Sequence, residues 1–285
     1  ILLAGFGVSA LGTASTVLMP HAFFAPEETS ASLNLGYVFI ALGALLTPAL
    51  ADILLEKIAL RRTLAVFALL ALTPAFLGVL PSSEHWPISD HPGHPSAFLA
   101  EPTGWLAALV LFFYAPLEAV ISLWTFTLLA ERDRDEREAT GLLCGFWIAF
   151  MASRLLVALA QHMDLLTEGW DVSLIVVPPL LAAVLLGNLA GASHRAQPRS
   201  GLILLGLLLG PVLPTLLGLV FHHVAPAGQG TAFGFVFAAG SLGSLLLAPL
   251  ITLRARPPLQ TALRLPIVLA LLVTAIALVL GLMMS

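Results

Sequence analysis

Of the chain's 285 residues, 59% are hydrophobic and only 10% are charged, and the formal net charge is −4. A soluble domain carries about 25% charged residues, so this composition, with its mean hydropathy of +1.01, belongs to a protein immersed in lipid. It excludes soluble enzymes and nucleic-acid binders: there is no phosphate loop, no metal-spaced Cys/His cluster and no basic stripe outside the connections.

Nine apolar runs follow one another, at about 1–20, 33–55, 63–81, 104–130, 139–160, 172–192, 201–223, 230–252 and 265–284. Each is long enough to cross a bilayer, because roughly 20 helical residues span the hydrocarbon core. The chain opens on Ile1, already inside an apolar run and without the basic start and cleavage site of a signal peptide. That start suggests missing N-terminal sequence. Prolines recur inside the runs, among them Pro48, Pro116, Pro178, Pro211, Pro214 and Pro249. In lipid they are tolerated where neighbours re-satisfy the freed carbonyls. The loop 82–103 is rich in Pro, His and Ser and is the predicted interdomain linker. Its His85, His91 and His94 are too irregularly spaced to predict a metal site. Cys144, the single cysteine, reads as small apolar packing.

An internal echo sets the helix count. Ala25-Pro26 followed by GYVFIALGALLTP (36–48) is repeated by Ala225-Pro226 followed by GFVFAAGSLGSLLLAP (234–249). The offset of about 200 residues spans six runs, and an even number of crossings makes the copies parallel, as between transporter halves. Six helices per half gives twelve. The second copy is followed by one more run, so the copies are helices 5 and 11, and the chain starts at helix 4.

With these motifs the sequence resembles a major facilitator superfamily transporter over its whole length, lacking the first three helices. LFFYAPLEAVISLWTFTLL and GLLCGFWIAFMASRLL are similar to helices 7 and 8 of the fucose and glucose/galactose proton-symporter branch. GLLLGPVLPTLLGLV resembles its helix 10 and LNLGYVFIALGALLTP its helix 5. There are departures: Ser153 where the branch has Gly, Leu213 where an aromatic is common, and no charge in GFGVSALGTASTVL (5–18), where the branch's helix 4 carries a coupling acid. The resemblance implies an all-α polytopic bundle: residues 1–81 as the rest of an N-terminal half, 82–103 as linker, and 104–285 as a C-terminal half. It also implies alternating-access transport of a small polar solute, a sugar foremost, with protons as the coupling ion, by a monomer in the bacterial inner membrane. No cofactor is expected. By the same resemblance, helices 1 and 4 line the cavity, so the 285 residues alone are expected not to transport. The rivals are a drug or metabolite exporter, a non-transporting sensor or remnant, and a membrane acyl- or glycosyltransferase.

The candidate chemistry lies in the middle of the chain. Tyr114, Glu118, Ser122 and Thr125 fall at i, i+4, i+8 and i+11, one polar face on an apolar rod. An ionisable group in the membrane costs about 2.5–3.5 kcal/mol on insertion scales, so it usually faces a water-filled path or a partner. Glu118 is suited to accept a proton or substrate hydroxyls, or to lock helix packing. Trp124 lies off that face. Trp147, Phe150 and Arg154 share a face of the next run. Arg154 has four readings: pairing with Glu118, binding an anionic substrate, bracing two helices, or snorkelling to the membrane face. Trp147 reads as packing or cavity lining. Asn34 and Tyr37 suit hydroxyl recognition, with an N-cap as the other reading of Asn34. Gly230, Gly234, Ala238, Ser241 and Ala248 form a small-residue stripe, expected to be a packing or rocking interface. His222 and His223 read as interfacial, and Asn188 has no assignment.

Charge and register disagree about orientation. Apart from Arg154, every Lys and Arg lies in alternate connections (Lys57, Arg61 and Arg62; Arg132, Arg134 and Arg137; Arg195 and Arg199; Arg254, Arg256 and Arg264). The positive-inside rule places these in the cytoplasm. The register places the C-terminus there instead, and the register is adopted.

Overall fold

The computed structural model describes residues 2–25, 27–77, 97–130, 136–167, 169–191, 198–254 and 259–284. They form eleven helices: α1 Leu2–Ala22, α2 Thr29–Lys57, α3 Leu60–Leu77, α4 Ala97–Ala100, α5 Pro102–Ala130, α6 Glu136–His162, α7 Trp170–Gly191, α8 Pro198–Leu209, α9 Val212–His222, α10 Pro226–Arg254 and α11 Leu259–Met284. There is no strand among the described residues. Each predicted run has its helix, with one difference: the run 201–223 is broken into α8 and α9. Among the described residues, seven stretches are long and apolar enough to cross a membrane, with α8 and α9 together supplying one. The broken run is the most buried of them, and every residue from Val212 to Phe221 is buried. Outward-facing Leu156, Val184 and Leu282 are exposed, as suits hydrocarbon rather than water. Of the predicted linker, α4 and the start of α5 are described; His85, His91 and His94 lie outside the described residues, as do Arg132, Arg134, Arg195 and Arg256.

The break has a local cause. Pro211 has no N–H for the carbonyl of Leu207, and Pro214 has none for the carbonyl of Gly210, so two rungs are lost within one turn. Pro178 and Pro179 sit inside α7 without breaking it. At Gly210–Pro211 the chain turns instead, and α9 restarts with the Thr215 N–H on the carbonyl of Pro211 at 3.1 Å.

α5 packs on α10 and α11, α7 on α11, and α8 on α6. α2 lies across α6 and α9, and α1 bridges α2 and α10. Among the contacts that need glycine, a Cβ on Gly243 of α10 would meet the backbone of Phe112 on α5, and one on Gly206 of α8 would meet the Phe146 carbonyl of α6. Backbones that close are how transmembrane helices gain dispersion contact when lipid offers no hydrophobic drive.

The predicted stripe on α10 is partly corrected. A Cβ on Gly234 would meet nothing, and one on Gly230 would only touch Thr13 at 3.9 Å. The glycines in close contact are Gly240, against Leu111, and Gly243. Periodicity found the small residues but not which of them touch.

Helix direction alternates, so Ala22, Thr29, Pro102, His162, Trp170, His222, Pro226 and Met284 share one end of the bundle. At that end α2 is tied to the later helices. His162 Nδ1 lies 2.8 Å from Glu28 Oε2, and its ring stacks on Phe24 at 4.3 Å. Deeper in, Asn34 Nδ2 donates to Thr215 Oγ1 at 3.1 Å.

Candidate functional site

Beyond those ties the helices part around a cavity of about 940 Å³, lined by α2, α5, α6, α9 and α10. Five of the six predicted site residues line it: Tyr37, Tyr114, Glu118, Trp147 and Arg154. The 3.6-residue period of α5 is why Tyr114 and Glu118 both face it. Ser122, Trp124 and Thr125 also lie on α5, but their side chains are outside the described part.

Asn34 is the exception. It is fully buried, nearer the closed end, with Nδ2 on the carbonyl of Ser30 at 3.0 Å as well as on Thr215. The N-cap reading fails because α2 begins at Thr29, which puts Asn34 in the second turn.

The structure decides among the readings of Arg154. At 4% exposure it does not snorkel. Its Nε donates to the carbonyl of Gly210 at 2.7 Å and its Nη1 to the carbonyl of Tyr37 at 3.3 Å. The first is the carbonyl that Pro214 strips of its helical donor. The guanidinium plane also covers the Phe150 ring at 4.2 Å and faces the Tyr37 ring at 5.3 Å. One planar fork therefore braces α6, the α8–α9 break and α2, a geometry that an ammonium cannot reproduce. Tyr114 serves the same break, its hydroxyl donating to the carbonyl of Leu209 at 2.6 Å. Glu118 interacts with the Tyr114 hydroxyl and with the charge of Arg154.

Trp147 combines both of its readings: it lines the cavity and packs edge-on against Phe146 and Phe150 at 5.3 and 5.2 Å. The α10 wall of the cavity went unpredicted. Phe237, Gly240, Ser241 and Ser244 all line it, although Ser241 also belongs to the small-residue stripe. Their signal was present in the i, i+4 spacing of 237 and 241 and of 240 and 244, which the small-residue pattern masked. Thr16 is a second omission: fully buried, its Oγ1 lies 3.5 Å from the Tyr37 hydroxyl. His222 and His223 stand exposed at the closed end beside a separate cavity of about 560 Å³. Asn188 is exposed on α7. No metal-ligating cluster occurs among the described residues.

No protein-family model matches the sequence, and no curated protein matches it. Solved structures do. A structure of the major facilitator superfamily transporter FucP in the outward conformation superposes with a TM-score of 0.70 at 17% identity, covering 97% of this chain and 72% of that one. The E. coli fucose:proton symporter FucP, as an asparagine-to-alanine variant, matches with the same TM-score and identity over 97% and 73%. The fold is that of the major facilitator superfamily. In major facilitator folds the binding site lies near the bilayer midplane, between two halves related by an axis along the membrane normal. The cavity here is lined by α2, α5, α6, α9 and α10.

Proposed function

We propose that the chain is part of a secondary transporter that carries a small, neutral, hydroxylated solute, with a monosaccharide foremost, by alternating access and coupled to protons. Residues 1–81 and 104–285 act as the two rocking halves, joined by 82–103. The single observation that carries this reading is the cavity that brings Glu118, two tyrosines and Trp147 together at the meeting of α2 with α5, α6 and α10. Its volume is at the upper end of the roughly 300–1,000 Å³ of small-molecule sites. The likeness in fold to a fucose:proton symporter supports the same reading.

Glu118 is the coupling group in this scheme. Ionised, it balances Arg154 and leaves the cavity neutral; protonated, it leaves one positive charge. Proton binding therefore changes the net charge between the halves, as a coupled carrier requires. The carboxylate and aromatic lining also suit a cation, so export of a cationic metabolite is the second reading. The neighbouring Arg154 opposes it.

The test is Glu118→Gln in the natural full-length protein, reconstituted in vesicles with an imposed pH gradient. Uptake of labelled hexoses is expected to lose its dependence on the gradient while insertion is kept. Unchanged gradient-driven uptake removes Glu118 from coupling, and uptake of cationic dyes in place of hexoses selects the second reading.

A further inference from the structure

The polar groups around the cavity divide into those already engaged by the protein and those that are not. The Tyr114 hydroxyl is bonded to Leu209, and two donors of Arg154 to Gly210 and Tyr37. The Tyr37 hydroxyl lies 3.5 Å from Thr16 Oγ1, and the Ser241 hydroxyl donates to the carbonyl of Phe237 at 2.9 Å. Trp147 and Ser244 line the same cavity, and neither side chain makes a hydrogen bond to any described residue. A polar group in a cavity is satisfied by water or by ligand, and these two side chains are wholly uncommitted to the protein.

We propose that Ser244 on α10 and Trp147 on α6 are the solute-recognising pair, with Glu118 as the acceptor on α5, and that Tyr37, Tyr114 and Arg154 position the helices rather than bind solute. The inference rests on the transport reading above and names the groups that select its substrate. Indole N–H only donates, a carboxylate only accepts, and a serine hydroxyl does both. The complementary solute carries hydroxyls, which donate and accept, and no fixed negative charge. An anion does not find the whole fork, because the guanidinium spends its Nε and an Nη1 donor on backbone carbonyls and stacks on Phe150. Ser244 is half-buried and lies next to the Gly243 contact on α10, so its position is fixed by the α5–α10 packing. It is a rigid reader of one hydroxyl.

The experiment measures uptake of radiolabelled hexoses and their monodeoxy analogues by the natural full-length protein in vesicles, with Ser244→Ala and Trp147→Phe beside wild type. Loss of one hydrogen bond is expected to raise the apparent KM of Ser244→Ala about three- to ten-fold with maximal rate retained. Ser244→Ala is also expected to stop discriminating against one particular monodeoxy hexose, which a merely structural role would not alter. Trp147→Phe should shift the preference to a different deoxy position. If wild type takes up hexoses and Ser244→Ala and Trp147→Phe keep its KM and deoxy preferences, the recognition pair is wrong and the transport reading stands. If wild type neither takes up nor binds any hexose, both readings fall together.

Discussion

A guanidinium taken out of water needs replacements for every donor it had there. Arg154 finds two in backbone carbonyls, one of them freed by a proline three elements further on. Its place on α6 was legible in the sequence, together with the face it shares with Phe150. Its partners were not, because a side chain some 9 Å from the end of the apolar run 139–160 can snorkel as easily as turn inward, and the choice depends on the carbonyls of Gly210 and Tyr37, far away in the chain. Tyr114 and Glu118 were more legible, since a period of 3.6 on an otherwise apolar rod leaves one face to point inward. These contacts predict that Arg154→Lys inserts but melts early. An ammonium cannot fork to both carbonyls or stack flat on Phe150, so a loss of about 1–3 kcal/mol is expected. Thermal unfolding in detergent measures it, and a melting temperature equal to wild type would show that the fork contributes nothing.

Among the elements, the α8–α9 break and the α5–α10 contact show where apolar periodicity stops being informative. The run 201–223 is continuous in hydropathy, and only the three-residue spacing of Pro211 and Pro214 after Gly210 marks the turn. The glycines of α10 are equivalent to a hydropathy scale, yet Gly243 faces the Phe112 backbone while Gly234 faces open space. The difference lies in which side of α10 meets α5, a fact of tertiary packing rather than of sequence. It predicts unequal costs for the same substitution. Gly243→Ala drives a methyl into backbone that cannot yield as a side chain does, and overpacking of this kind costs about 1–3 kcal/mol. Gly234→Ala should stay within about 0.5 kcal/mol of wild type, as an alanine in an open helical site does. Melting of the two purified variants compares them, and equal stabilities would mean that α10 does not sit on α5 as described.

For the whole molecule, the two ends of the bundle differ in both closure and charge. One end is tied by His162 to Glu28 and bears Met284; the other carries Lys57, Arg61, Arg62, Arg254 and Arg264. The positive-inside rule would put that basic end in the cytoplasm. The twelve-helix register derived from the repeat puts it outside. The rule counts charges near helix ends, but the first helix of a protein usually dominates its insertion. A major facilitator fold, by contrast, ties helix register to helix direction. We therefore expect Met284 and the Glu28–His162 tie in the cytoplasm. A C-terminal fusion decides: a fluorescent protein that lights up only inside and an alkaline phosphatase that works only outside, each on the natural full-length protein. Fluorescence without phosphatase activity is the expected result. Phosphatase activity without fluorescence would give the basic end to the cytoplasm and shift every helix number by one.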